Sequence, residues 1–132
     1  MGSDFAFIAN QYHLHVGDED FYIDLLLYHR RLKCFVAIEL KTTGFKPEYA
    51  GKVQFYLTVL DELKKSEDEN PSIGIIVCKD KNRTIVEYAL KRSDSPIGVA
   101  AYKLESQLPE DLKKYLPSPQ QIIRSVEGVN GF

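Results

Sequence analysis

The chain has 132 residues, room for one domain around one core, and its 44% apolar content can support that core. A charged fraction of 27% and a net charge of −2 exclude a disordered polyelectrolyte. They also weigh against an overall basic nucleic-acid binder, leaving only local basic patches for such a partner.

Met1-Gly2-Ser3 reads as an expression scar or tag remnant. Strand-like sequence begins at once at Phe5, as expected of a domain taken from a longer protein. Residues 5–8 and 11–16 read as two short extended segments. Phe21–Tyr28 mixes aromatic and branched residues and reads as a strand. His29–Lys33 is a polar, basic turn, and Cys34–Lys41 is a second strong strand, so the two form a β-hairpin. Thr42–Lys46 is a loop. Pro47 then suits a first helical position, where its missing N–H costs nothing. Up to Lys65 the apolar spacing is helical, with Tyr49, Val53, Tyr56, Leu57, Leu60 and Leu63 on one stripe.

The acidic run Ser66–Pro71 ends that helix. Ser72–Cys78 is nearly all apolar and reads as a central strand buried on both faces. Residues 82–90 form a short helix with Asn82 as its cap. Ile97–Leu104 is a further strand and Pro109–Tyr115 a short helix, and 117–132 is a weakly ordered tail. The order predicts one α/β domain over 1–132 with a mixed sheet.

Side chains alternate faces along a strand. Val36, Ile38 and Leu40 share one face, and Phe35, Ala37, Glu39 and Lys41 share the other. In the preceding strand Ile23, Leu25 and Leu27 oppose Tyr22, Asp24, Leu26 and Tyr28. A turn centred between Arg31 and Leu32 pairs Tyr28 with Phe35 and Asp24 with Glu39. A slip of one residue would separate the carboxylates and expose the apolar set. Opposed carboxylates on an apolar face repel and need compensation. Lys41 offers one positive charge, and a divalent ion offers two. Mg²⁺ takes one or two carboxylates, keeps waters and accepts phosphate oxygens. The plainer alternative is a structural salt bridge between Lys41 and one carboxylate at the sheet rim.

Other motifs carry less. The basic runs His29–Lys33 and Lys79–Arg92 read as solvated faces or as phosphate contacts. His13 and His15 are two apart and share a strand face, but no third zinc ligand is visible near them. His29 beside the turn is a surface histidine or a phosphate contact. Cys34 and Cys78 lie in apolar strands and read as buried thiols of a reducing cytoplasm. No signal peptide, lipidation motif or membrane span is visible, in keeping with a cytoplasmic setting.

Phe21–His29 followed by Val36–Lys41 resembles the PD-(D/E)XK nuclease superfamily, with Asp24 as the motif Asp and Glu39-Leu40-Lys41 as (D/E)XK. Ile23 stands where the motif's Pro is written. Phe45–Lys52, Phe55-Tyr56-Leu57, Pro71–Gly74 and Val86–Leu90 are similar to the YhcG-like bacterial branch, and the resemblance runs from about Phe5 to Leu116. It implies a restriction-endonuclease-like α/β fold, a central mixed sheet flanked by helices in αβββαβ order. The first helix, which often carries a further acid, would precede this chain, as would an N-terminal helical domain of the full-length protein. The resemblance implies catalysis by Asp24, Glu39 and Lys41, a Mg²⁺ or Mn²⁺ ion on Asp24 and Glu39, and support from Lys52 or Gln54 in the following helix.

The expected function is metal-dependent hydrolysis of phosphodiester bonds, with DNA preferred over RNA. The alternative is a catalytically weak or inactive nuclease-fold module that binds nucleic acid or a protein partner. A homodimer would suit a nuclease that cuts both strands, but the sequence assigns no interface.

Overall fold

The computed structural model describes residues 4–102. In chain order the elements are β1 (Phe5–Val16), β2 (Glu19–His29), β3 (Cys34–Leu40), α1 (Pro47–Val59), β4 (Ile73–Cys78), α2 (Arg83–Leu90) and β5 (Ile97–Ala101). The five strands form one sheet in sequence order. β1, β2 and β3 pair antiparallel, while β3–β4 and β4–β5 pair parallel, so the sheet is mixed as predicted. The expected helix at Pro109–Tyr115, the tail and the last residues of the final strand lie outside the described residues.

The two extended segments expected near the start are one twelve-residue strand. Pairing with a continuous β2 overrides the local irregularities. The register shifts between Phe7 and Ala9, and Gln11 adopts a left-handed φ of 48°. Gln11 and Asp24 fall between the pairs Asn10–Leu25 and Tyr12–Ile23. Strict alternation fails there. Leu25 and Leu27 pack in one cluster with Val36, Ile38 and Leu40, but Ile23 joins Leu26, Ala37 and α1 in the other. The expectation that Ile23 shares a face with Leu25 is thus corrected: regular alternation breaks at Asp24, opposite the left-handed Gln11.

α1 begins at Pro47 as expected. Val53, Tyr56, Leu57 and Leu60 are wholly or almost wholly buried, each contributing about 1.5–3 kcal/mol through burial. Leu63 leaves the stripe. After Val59 the helix widens into a π-helical turn, Leu60–Lys64, closed by Lys65 N–H donating to Leu60 O at 2.8 Å. The wider turn shifts the phase, and Leu63 is 62% exposed. Asp61 in the same turn accepts from Ser72 N–H at 2.9 Å and Ser72 Oγ at 2.7 Å, satisfying a buried serine at the entry to β4.

Gly74 sets how closely α1 approaches the sheet. A Cβ there would collide with Cγ1 of Val53 and crowd Leu57. Asn82 caps α2, its side chain accepting from Ile85 N–H at 3.1 Å, as expected. Cys34 and Cys78 are buried free thiols, and burial pushes the Cys78 thiol up to about 11. Among the described residues no helix is long and apolar enough to cross a membrane.

Candidate active site

The β2–β3 register is the expected one. Tyr28 pairs with Phe35, and the ladder runs to Leu25–Ile38. The next positions along are Asp24 and Glu39, where the strands begin to part. Leu40 N–H donates to Asp24 Oδ2 at 2.9 Å, a side chain standing in for a ladder carbonyl. Gln11 Nε2 donates to Asp24 Oδ1 at 3.1 Å. Two N–H groups from different strands therefore orient the Asp24 carboxylate.

Glu39 is in the opposite condition. It is 1% exposed, and neither carboxylate oxygen accepts a hydrogen bond from the described residues. Lys52 Nζ lies 3.4 Å and Lys41 Nζ 3.7 Å from its Oε2, supplying charge without a well-formed hydrogen bond. Burial pushes the Glu39 carboxyl above its ordinary range, and the Asp24 charge raises it further. Lys52 and Lys41 offset part of that. Burial disfavours the Lys52 ammonium, but Glu39 and Tyr56 outweigh it, and its pKa is raised.

Aromatic rings hold both lysines. Lys41 Nζ sits 4.8 Å from the Tyr49 ring centroid, and Tyr49 shares a hydrogen bond with Thr43 in the loop after β3. Lys52 Nζ sits 5.8 Å from the Tyr56 centroid. Tyr56 is buried, and its hydroxyl donates to Tyr22 O at 3.1 Å. A cation over an aromatic face is attracted by the ring quadrupole.

Asp24, Glu39, Lys41 and Lys52 therefore converge. Gln54 does not. Its Nε2 donates to Ser95 Oγ at 2.6 Å and its Oε1 accepts from Ser93 Oγ at 2.7 Å, tying α1 to the loop before β5. Helix phase separates the pair, since the buried stripe through Val53, Tyr56 and Leu57 leaves Lys52 and Gln54 on opposite flanks. Sequence reasoning missed Gln11, because only the cross-strand pairing and its left-handed φ bring it to Asp24. It also missed the Thr43–Tyr49 support of Lys41, although both residues stand in the segment singled out after β3.

The strands and α1 thus bring an acidic pair and two lysines together at one place on a mixed sheet. A family model described as the YhcG PDDEXK nuclease domain matches residues 1–117. The chain belongs to the YhcG PDDEXK nuclease domain family. Its five-stranded mixed sheet with two helices agrees with the restriction-endonuclease-like fold. It is 37% identical over 111 residues to "Putative nuclease YhcG" of Escherichia coli (strain K12), a match that covers 84% of this chain. The chain spans 29% of that relative's length. No solved structure matches.

Nucleases of the PDDEXK kind generally use divalent metal ions, and the residues here fit one. Buried Glu39, ion-paired through Oε2 to Lys52 and Lys41, still feels the Asp24 charge, a costly arrangement without further compensation. All-oxygen donors match a hard cation.

Proposed function

We propose that this chain is a metal-dependent nuclease domain that hydrolyses phosphodiester bonds, with DNA as the preferred substrate. The observation that carries this reading is the buried Glu39 carboxylate beside the Asp24 charge and within 4 Å of both Lys41 and Lys52.

Asp24 and Glu39 are the residues that would hold Mg²⁺ or Mn²⁺. Such an ion, when bound, lowers the pKa of its water and polarises a phosphoryl oxygen. Lys41, the last residue of the motif, stabilises the negative charge that develops on the phosphate or orients the attacking water. Lys52 offsets part of the burial penalty on the Glu39 charge. Gln11 and Leu40 N–H hold Asp24 in one orientation, so that little reorganisation is needed as charge develops. Gln54, engaged with Ser93 and Ser95, supports the scaffold instead.

The ends of the parallel strands suggest where the backbone of the nucleic acid lies. Glu39 and Lys41 stand at the carboxyl end of β3. The basic run from Lys79 starts at the carboxyl end of β4, where Lys79 N–H donates to Thr43 O at 2.9 Å. The cluster at 29–33 is the β2–β3 turn, about 16 Å away along the strand at 3.3 Å per residue. Of the two basic runs, the one starting at Lys79 is the better phosphate contact. Lys81 is partly committed, since its Nζ donates to Val99 O at 2.8 Å.

The net charge of −2 keeps a second reading in view, a nuclease-fold module that binds nucleic acid or protein with little activity. One assay separates the two. Several nucleic-acid structures are incubated with Mg²⁺ or Mn²⁺ and wild type, Glu39→Ala or Lys41→Ala. Metal-dependent cleavage by wild type alone supports the nuclease. Equal cleavage by all three proteins removes this site, and binding without cleavage by wild type favours the second reading.

A further inference from the structure

A second cluster of metal-ligand type lies at the far end of the β1–β2 hairpin. The turn Val16-Gly17-Asp18-Glu19 is tight. Gly17 and Asp18 both take left-handed φ, 57° and 64°, as a two-residue hairpin turn of the primed kind demands. That turn sets His15 directly opposite Asp20 and His13 opposite Tyr22. His13 and His15 are two apart and so share one strand face. The sequence showed no third ligand near them, and the hairpin supplies one. Asp20 Oδ1 lies 2.6 Å from His13 Nε2 and 2.9 Å from His15 Nδ1. One ligand atom from each of the three residues lies within 4.8 Å of the others.

We infer that His13, His15 and Asp20 form a binding site for a divalent transition-metal ion of the zinc or nickel class, separate from the acidic pair. Two imidazoles and a carboxylate are borderline donors that favour Zn²⁺, Co²⁺, Ni²⁺ or Cu²⁺ over Mg²⁺. Tetrahedral ligands at about 2.1 Å from an ion stand about 3.4 Å apart. The two Asp20–imidazole distances need open by only about 0.5–0.8 Å to reach that spacing, and all three side chains are more than half exposed. The backbone carrying them is fixed by the turn, and Tyr22 stacks on the His13 ring with centroids 5.0 Å apart. In the absence of an ion, hydrogen bonds from the two imidazoles to Asp20 Oδ1 hold the same three groups together. The exposed side leaves positions for water or for a ligand from another molecule.

The two sites are independent. Asp20 and Asp24 are four residues apart on β2, about 13 Å at strand spacing, too far to share one ion. Their chemistry also differs, since oxygen donors at Glu39 select a hard cation and nitrogen donors at the hairpin a softer one.

The test is titration of tag-free protein with Ni²⁺ or Zn²⁺ in millimolar Mg²⁺, read by calorimetry and by thermal melting. Wild type, His13→Ala, His15→Ala, Asp20→Asn and Glu39→Gln are compared. The expected result is one equivalent bound to wild type and Glu39→Gln, raising the melting temperature of both. Each hairpin variant should bind at least about ten- to a hundredfold more weakly, the loss that even outer-shell changes can cause at metal sites. No stoichiometric binding to wild type overturns the site. So does undiminished binding by the hairpin variants with loss in Glu39→Gln, which would move the ion to the acidic pair.

Discussion

Lys52 Nζ on α1 stands 3.4 Å from Glu39 Oε2 on β3, although neither oxygen of that buried carboxylate accepts a hydrogen bond from the described residues. The helix thus delivers a charge, and the strand a carboxyl group that water does not reach. Losing Lys52 should raise the Glu39 pKa further. Lys52→Met should lower metal-dependent cleavage by about 1–2 kcal/mol of transition-state stabilisation, roughly five- to thirtyfold in rate. Gln54→Ala, two residues on, should leave cleavage within about twofold and loosen only the Ser93–Ser95 loop. Single-turnover kinetics of the two variants check this.

Glu39 and Lys41 carry the reaction in the proposed mechanism. Glu39→Ala and Lys41→Ala should each lose about 10²–10³ in rate, the scale seen when one preorganised electrostatic contact is removed. Their far-UV circular dichroism should match wild type, which separates lost chemistry from lost folding.

The raised Glu39 pKa makes stability depend on pH. A carboxyl whose folded pKa lies above its unfolded value binds its proton more tightly in the folded state. The resulting stabilisation is fully present below the ordinary value of 4.5 and is lost as pH rises through the raised folded value. Chelator-treated protein should therefore melt at lower temperature as pH rises across that window. Mg²⁺ or Mn²⁺ should restore part of the loss by binding the ionised form, and Glu39→Gln should flatten the profile. Melting temperatures with and without chelator from pH 4 upward decide it.

Gly74 allows α1 to lie close over β4. Gly74→Val would drive a side chain into Val53 and Leu57. Overpacking of this kind costs about 1–3 kcal/mol. Because the same contact sets the height of Lys52 over Glu39, cleavage should fall along with the melting temperature.

Asp61→Ala should separate stability from activity. It removes the one oxygen, Asp61 Oδ1, that accepts from both the N–H and the hydroxyl of buried Ser72 and should cost about 1–3 kcal/mol. Asp61 touches none of Asp24, Glu39, Lys41 or Lys52, so cleavage per folded molecule should not change. Denaturant unfolding and an activity assay on the same preparation check both halves.

Residue spacing alone determined the hairpin, its register, the α1 start at Pro47, the buried β4 and the Asn82 cap. Each of these follows from local periodicity or turn chemistry. The approach of Asp24 to Glu39 followed from the same register, because a slip of one residue would have exposed the apolar face. Tertiary structure decided the rest. The left-handed Gln11 and the swing of Ile23 arise from pairing with β2, which no local pattern reports. The choice of Lys52 over Gln54 depends on how α1 rotates as it settles over Gly74. The π-helical turn that expels Leu63 puts Asp61 against Ser72. Asp20 joins His13 and His15 only because a tight turn folds β2 back on β1, placing the ligand on the neighbouring strand.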